Sequence, residues 1–259
     1  MIKFFRKIRQ QLISENKTGK YFKYAIGEII LVVIGILIAV QINSFYNKKS
    51  ADKMNTKLLN RMIKEVELNI DRLDFIELMK GAPDAAKPIS AFESKKKLDS
   101  IISLLNLGLN DERIAYMNDN GRYNSSAYNL YSSVYEEMKN TGKLYNIGSD
   151  SLITKINVYY KQLEREDYYH KASVNVVLNL KDECKYGWEK FRSDYYLNTS
   201  EALKKHTWLL DSSSKHYTDV LFYFLEARKV TRRNIQRMQG MRDASNDLIQ
   251  SIEDELNSK

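Results

Sequence analysis

The sequence predicts an all-α protein, with an N-terminal transmembrane helix followed by an antiparallel helical bundle that contains long helices. Three observations indicate this class. The first is the apolar run AIGEIILVVIGILIAVQINSF, from Ala25 to Phe45. The second is that later segments repeat apolar residues at spacings of three and four, as amphipathic helices do. The third is that no run of alternating apolar and polar residues is long enough to require a β-strand.

Residues 1–23 are predicted to be a basic cytoplasmic tail that begins with an amphipathic helix. Its apolar residues share one face of a helical wheel, and the other faces carry Lys3, Arg6, Lys7 and Arg9. A basic amphipathic helix of this kind can lie flat on an anionic lipid surface. The alternative is a frayed tail that directs membrane insertion and binds nothing.

Residues 24–46 are predicted to be the transmembrane helix, an uncleaved signal anchor. The segment from Tyr24 to Phe45 rises about 33 Å as a helix, which exceeds a hydrocarbon core of about 30 Å. Glu28 and the amides of the segment lie near its ends, where polar side chains can reach the headgroups. A buried helix of a water-soluble domain is the alternative. A cleaved signal peptide is disfavoured, because more than twenty residues precede the run and no small-residue cleavage site follows Ala39.

One face of this helix carries Glu28, Gly35 and Ala39. Two small residues four positions apart let a second helix approach closely, so the spacing from Gly35 to Ala39 predicts a helix–helix contact. That contact would join either two copies of the chain or the chain and another membrane protein. The alternative is that small residues are simply common in such helices and that the side chain of Glu28 reaches the headgroups.

The distribution of charge favours lipid headgroups over nucleic acid as the partner of the basic residues. Residues 1–28 carry seven basic and two acidic residues, and residues 47–64 carry six and one, a net charge of +5 for each segment. The whole chain carries +8, so residues 65–259 sum to −2. The basic excess therefore flanks the apolar run. A short basic tail usually stays in the cytoplasm, which predicts a single-pass protein with an extracytoplasmic C-terminal domain.

Residues 47–80 are predicted to be a juxtamembrane stalk helix that enters the bundle, and residues 81–259 to be the rest of the bundle. Apolar residues repeat with a helical period from Leu59 to Leu73. The segment from Lys80 to Pro88 then contains both prolines of the chain, which predicts a break.

After this break, helical patterning is expected from Ser94 to Leu107 and again from Asn124 to Lys139, with a polar stretch of no firm period between them. Ser149-Asp150-Ser151 supply N-cap chemistry for a long helix. Its apolar stripe is predicted to continue from Ile153 to Phe191, and a final long helix is predicted from Val220 to Ile252.

Asp167 and His170 interrupt the stripe of the first long helix. Residues three apart are neighbours on one helical face, so the two side chains are predicted to lie together. One interpretation is a polar pocket in the bundle that binds a ligand or senses protons through His170. The other is a satisfied polar pair that sets the register of the helices.

Catalytic and metal-binding patterns are not found, and we predict neither enzyme activity nor a cofactor. The three histidines, His170, His206 and His216, lack the spacings of a zinc site, and the glycines form no phosphate loop. Cys184 lies on an apolar stripe next to Trp188, which is typical of a small core residue. The tyrosine doublets of the chain can be either partly buried packing residues or an interaction surface.

Two segments resemble a large, uncharacterised bacterial family of single-pass membrane proteins that is defined only as a domain of unknown function. The first segment is MIKFFRKIRQQLISENKTGKYFKYAIGEIILVVIGILIAVQIN, and the second is YEEMKNTGKLYNIGSDSLITKINVYY. The residues that fit the pattern of the second segment are Gly142, Leu144, Ile147, Asp150, Leu152, Ile156, Tyr159 and Tyr160. Asn140-Thr141 stands in place of the usual serine pair, and Ser44-Phe45-Tyr46 in place of a frequent tryptophan. The resemblance implies a membrane anchor with a helical domain and brings no known activity, ligand or catalytic residue.

Two classes of function remain open from the sequence. The first is a non-enzymatic protein-interaction or sensory module of the cell envelope, with the lipid bilayer and a protein partner or second copy as its contacts. The second is a membrane-anchored enzyme whose site is assembled from distant polar residues of the bundle. A deep polar cleft that contains Asp167, His170 and a third titratable group would favour a site, whereas a dry, filled bundle with an exposed patch of tyrosines would favour a protein partner.

Overall fold

The computed structural model describes residues 18–79, 89–121 and 123–258. These residues form eight α-helices joined by loops and short 3₁₀ turns, and none of them lies in a strand, so the all-α prediction is confirmed. The tail residues Lys3, Arg6, Lys7 and Arg9, and the predicted break from Lys80 to Pro88, lie outside the described residues.

The helices follow one another in this order: α1 (Thr18–Leu78), α2 (Ala91–Asn106), α3 (Asp111–Asn120), α4 (Ser133–Asn140), α5 (Asp150–Glu183), α6 (Trp188–Leu197), α7 (Thr199–Lys205) and α8 (Lys215–Asn257). Side-chain oxygens at five N-caps accept a backbone N–H of the first turn, which satisfies donors that have no partner inside a helix. The capping residues are Ser90, Asn110, Ser149, Asn198 and Ser214.

The chain divides into two compact units, residues 1–57 and residues 58–259. In the first unit, the large apolar side chains of α1 between Ile29 and Ile42 are 46% to 65% exposed. Among the described residues, α1 is the one helix long and apolar enough to cross a membrane, and its most apolar window has no side chain buried by protein. The predicted transmembrane and stalk segments are parts of this one helix.

In the second unit, a first core lies among the C-terminal part of α1, α4, the first half of α5 and the last half of α8. The residues of α1 that belong to this core begin at Leu58. Fully burying one large apolar side chain contributes about 1.5–3 kcal/mol. Among its buried members are Leu59, Met62, Val66, Leu73, Met138, Ile156, Met241 and Ile252.

A second core lies among α2, α3, the end of α5, α6, α7 and the first half of α8. Its centre is aromatic: the ring of Trp188 lies 5.5 Å from that of Phe191 and 6.0 Å from that of Phe224, between centroids. Each of these three side chains is at most 1% exposed. Helices α5 and α8 contribute to both cores and therefore connect them.

Helices α5 and α8 are antiparallel, as the sequence predicted. The backbone N–H of Ser149, at the start of α5, donates to Glu255 at 3.2 Å, near the end of α8. Farther along α5, the hydroxyls of Tyr159 and Ser245 lie 3.0 Å apart. From Ser149 to Tyr159 the residue numbers increase along α5, while those of their partners decrease from Glu255 to Ser245 along α8. The two helices therefore run in opposite directions.

The predicted continuous helix from Ile153 to Phe191 is wrong at its end. Helix α5 ends at Glu183, a 3₁₀ turn follows, and α6 begins at Trp188. Gly187 lies at this break, against the imidazole of His216. A Cβ at position 187 would lie 2.9 Å from Nδ1 of His216, so this close approach requires glycine.

The predicted helical patterning from Asn124 is also wrong, because the chain is irregular until α4 begins at Ser133. Instead, polar side chains of α1 bind the backbone of this segment. Arg72 donates through Nε to the Tyr128 carbonyl at 2.9 Å and through Nη2 to the Ala127 carbonyl at 2.8 Å. These bonds replace the backbone pairs that a helix would supply. In the polar stretch before it, the structure has the helix α3, which the sequence pattern did not indicate.

Candidate functional site

Of the two predicted pocket residues, His170 lies inside the bundle. It is 3% exposed and stacks on the ring of Tyr128, with centroids 4.0 Å apart and planes 24° apart. Burial lowers its pKa below the ordinary value, against smaller opposing effects from the Asn234 side chain and the Ser126 backbone. His170 is therefore shielded from any solute outside the bundle.

Asp167 lies at the edge of the core, one turn before His170, and forms an ion pair with Lys171 at 2.6 Å. Both members of this ion pair line a groove of about 540 Å³ between the segment 129–139 and α5. The structure thus places Asp167 on the wall of an open groove and His170 behind it in the core. We call this groove the tyrosine groove, because Tyr131, Tyr135 and Tyr160 line it.

Two stacked rings form one wall of the tyrosine groove. The rings of Tyr135 and Tyr160 have centroids 4.2 Å apart and planes only 8° apart. The ammonium of Lys139 lies 5.7 Å from the centroid of the Tyr135 ring, a cation–π distance. Burial is the main cause that raises the pKa of Tyr160, with Glu65 adding to it, so this hydroxyl stays protonated and acts as a donor.

A buried carboxyl group supports this wall from inside. Glu65 of α1 is 4% exposed and accepts three hydrogen bonds of 2.7 Å, from the Tyr160 hydroxyl, the Ser133 hydroxyl and the Val134 backbone N–H. Ser132, the N-cap residue of α4, makes no side-chain cap bond. Glu65 therefore takes the place of the missing cap, and it holds α1, α4 and α5 together through one side chain.

Asn69, one turn farther along α1, fixes the other edge of the groove. Its amide accepts from the Tyr131 N–H at 2.6 Å and donates to the Tyr131 carbonyl at 3.0 Å. Tyr131 is held by its backbone, which leaves its ring 51% exposed in the groove. Asn129 has a φ of 48°, in the left-handed region that asparagine tolerates better than most residues.

Sequence reasoning missed Glu65, Asn69 and Arg72, although a signal was present. These polar residues follow a helical period of their own, at i, i+4 and i+7, directly beside the apolar stripe of the stalk. An amphipathic helix beside water also carries polar residues next to its apolar stripe, so this row by itself did not indicate a site. The row indicates a site only when it is known that an irregular segment crosses it, because the backbone groups of such a segment need hydrogen-bond partners from side chains.

The charges that line the tyrosine groove balance. Glu136, Glu164 and Asp167 supply three carboxylates, and Lys139, Lys161 and Lys171 supply three ammonium groups. A tyrosine ring at a surface offers both apolar area and a hydroxyl to a partner. In this groove Tyr131 is the tyrosine with an exposed ring, whereas the hydroxyls of Tyr135 and Tyr160 are bound by Asn157 and Glu65.

A second cluster of titratable groups surrounds Asp194 of α6. Its carboxylate accepts from Lys190 and Lys205, at 2.9 Å each, and lies 2.8 Å from Nε2 of His206. These hydrogen bonds hold the pKa of Asp194 well below its ordinary value, and the bond with His206 has the largest effect. The indole N–H of Trp208 donates to Nδ1 of His206 at 3.3 Å. Both ring nitrogens of His206 are therefore engaged by the protein, which leaves neither one to act as a base toward a substrate.

Besides His170 and the Asp194 cluster, a possible reactive group is the thiol of Cys184, which is free and buried. Burial is the largest cause that raises its pKa to about 11, so the reactive thiolate is disfavoured. Within the ranges that the structure describes, no three His, Cys, Asp or Glu side chains are grouped to hold a metal ion.

The predicted helix–helix face lies on the exposed part of α1. Gly35 and Ala39 are exposed, and a Cβ added to Gly35 would meet no atom within 4 Å. Glu28 is half-buried. The contact of this face with a second copy of the chain or with another membrane protein stays a prediction.

No family model, no curated protein and no solved structure matches the chain. The resemblance to the uncharacterised membrane-protein family therefore stays a prediction, and the function has to be argued from the residues of this chain.

Proposed function

We propose that this protein is a single-pass membrane protein whose helical domain is a non-enzymatic interaction or sensory module of the cell envelope. The observation that carries the proposal is the uncovered apolar length of α1. A water-soluble protein rarely exposes a contiguous apolar surface of this extent, and a bilayer is the solvent that suits it. The flanking lysines and arginines suit anionic headgroups on either side.

The orientation that we propose places the N-terminus in the cytoplasm and the domain outside. We expect a C-terminal alkaline phosphatase fusion of the full chain to be active in a bacterial host, because this enzyme needs the oxidising environment outside the cytoplasm. A green fluorescent protein fusion at the same position, routed through the same secretion path, should be dark. A fusion that is stably expressed but lacks phosphatase activity would contradict the orientation.

The tyrosine groove is the surface that we propose for the interaction. The exposed ring of Tyr131, the balanced charges of the groove and its rigid support by Glu65 and Asn69 favour a polypeptide segment as ligand. The non-enzymatic assignment is supported by His170, which is shielded, by His206, whose ring nitrogens are both engaged, and by the raised pKa of Cys184.

Photo-crosslinking in native membranes tests this assignment. A photoreactive amino acid in place of Tyr131 or Lys161 should yield one and the same crosslinked species, since both positions line the groove. The matched controls are Tyr145 and Tyr186, which are 75% and 77% exposed and lie outside the groove. The same pattern of products from groove and control positions, or no product from either groove position, would rule out the groove as the interaction site.

A further inference from the structure

A basic groove lies on the second unit, outside the tyrosine groove. It has a volume of about 660 Å³ and lies between α2 and the middle of α8. Its charged lining is Lys95, Asp99, Glu226, Arg228, Lys229, Arg232 and Arg233. Five cations against two carboxylates leave a net charge of +3, whereas residues 65–259 as a whole carry −2. The positive charge is therefore concentrated at this place.

The carboxylates of the groove engage only part of its cations. Asp99 binds the Lys95 ammonium at 2.9 Å and lies 3.7 Å from the Arg228 guanidinium. Glu226 binds Lys229 at 2.8 Å. Within the described part of the chain, Arg232 and Arg233 form no ion pair, and both are exposed. The guanidinium groups of these two neighbouring residues are thus available to an anion. Beside them, the Lys95–Asp99–Arg228 cluster connects α2 to α8.

Helix stability does not explain this arrangement. Arg228 and Arg232, and likewise Lys229 and Arg233, lie four residues apart on one helix, where like charges are destabilising by about 0.2–0.5 kcal/mol a pair. Elsewhere on its helices the chain also uses this spacing for ion pairs between opposite charges. Such pairs are Glu93–Lys97, Lys95–Asp99, Asp167–Lys171, Lys190–Asp194 and Lys215–Asp219. Like charges also occur at this spacing outside the groove, as in Lys161 and Arg165 or Lys181 and Lys185. The groove is therefore distinguished by its net charge and by its two arginines without an ion pair to any described residue, not by the spacing alone.

We propose that this groove binds a small soluble polyanion that carries two or more phosphate groups. The planar guanidinium fork binds phosphate oxygens through two parallel hydrogen bonds, and paired forks on one helix suit neighbouring phosphates. The groove has the volume of a small-molecule site, and its two walls place cations on both sides of a ligand. The assignment is independent of the membrane helix and of the tyrosine groove.

Isothermal titration of the full chain in a non-ionic detergent, with inorganic tripolyphosphate as the probe, tests the proposal. We expect saturable binding by the wild type and a loss of at least tenfold in affinity for the double variant Arg232→Gln, Arg233→Gln. The double variant Arg232→Lys, Arg233→Lys, which keeps the charge but removes the forks, should fall between them. Helix content by circular dichroism confirms that each variant is folded.

The matched control is Lys96→Gln with Lys185→Gln, which removes two exposed cations outside the groove. Its affinity for tripolyphosphate should be only slightly lower than that of the wild type, because the lower net charge of the protein weakens its general attraction of anions. Equal losses in the control and in the groove variant would overturn the proposal, because they would indicate general attraction of anions. The absence of saturable binding by the wild type would overturn it as well.

Discussion

Replacing Glu65 with alanine is expected to lower the free energy of unfolding by about 3–5 kcal/mol, because two buried donors and the hydroxyl of the more exposed Ser133 lose their acceptor at once. The Tyr160 hydroxyl, the Val134 N–H and the Ser133 hydroxyl all lie 2.7 Å from this carboxyl group. Thermal or urea unfolding of the full chain in detergent, followed by circular dichroism, measures the change.

The control for this prediction is Glu67→Ala on the same helix. Glu67 is exposed, so its replacement should change the free energy of unfolding by no more than about 0.5 kcal/mol. Glu65→Gln keeps the volume and one acceptor oxygen, and should give a smaller loss of about 1–3 kcal/mol. A loss for Glu65→Ala no larger than that of the control would show that the groove wall does not depend on this residue.

The same change has a functional consequence. The ring of Tyr160 stacks on Tyr135 and is tied to Glu65 through its hydroxyl. Glu65→Ala should therefore loosen the wall of the tyrosine groove and reduce photo-crosslinking from Tyr131, even where the chain remains folded. A lower stability together with a weaker crosslink would be the expected result if the proposed interaction depends on this buried side chain.

Introducing two lysines at the centre of the apolar segment, Ile34→Lys with Leu37→Lys, is expected to prevent stable membrane integration. Each lysine at the centre of a spanning helix costs about 2.5–3.5 kcal/mol on the scale derived from insertion, so the pair costs about 5–7 kcal/mol. The measurement is the share of the full chain that resists alkaline carbonate extraction and floats with membranes in a density gradient. Flotation separates membrane-bound protein from aggregates.

Gln41→Lys with Ser44→Lys is the control for the lysine pair. It adds the same charge near the end of the segment, where a lysine side chain can reach the headgroups. This control should float with membranes as the wild type does. If the Ile34, Leu37 variant also floated normally, the apolar length of α1 would not be the membrane anchor.

The sequence predicted the helical elements well where one local signal sufficed. The N-cap at Ser149 and the antiparallel pairing of two long helices followed from capping chemistry and apolar spacing. The end of α5 could not be predicted from the apolar spacing, because the spacing of threes and fours continues through Cys184 and Trp188 to Phe191, across the break. The close approach of His216 to Gly187 at this break joins residues far apart in sequence, and such a contact leaves no trace in the local periodicity.

The candidate site was predicted only in part. Asp167 and His170 are neighbours along α5, as the spacing required, but the structure gives them different surroundings. Asp167 pairs with Lys171 on the groove wall, and His170 stacks on Tyr128 in the core. A spacing of three places two residues near one another on a helix, and it does not say where the neighbouring elements end and solvent begins.

The sequence by itself determined the all-α class, the apolar helix and the concentration of positive charge beside it, because composition and helical period are local properties of the chain. Only the tertiary structure decided which polar residues matter to a site. Glu65 and Asn69 support the tyrosine groove, and Arg232 and Arg233 line the basic one. Each depends on contacts between residues far apart in sequence, and the free energy of such contacts arises only when the helices pack.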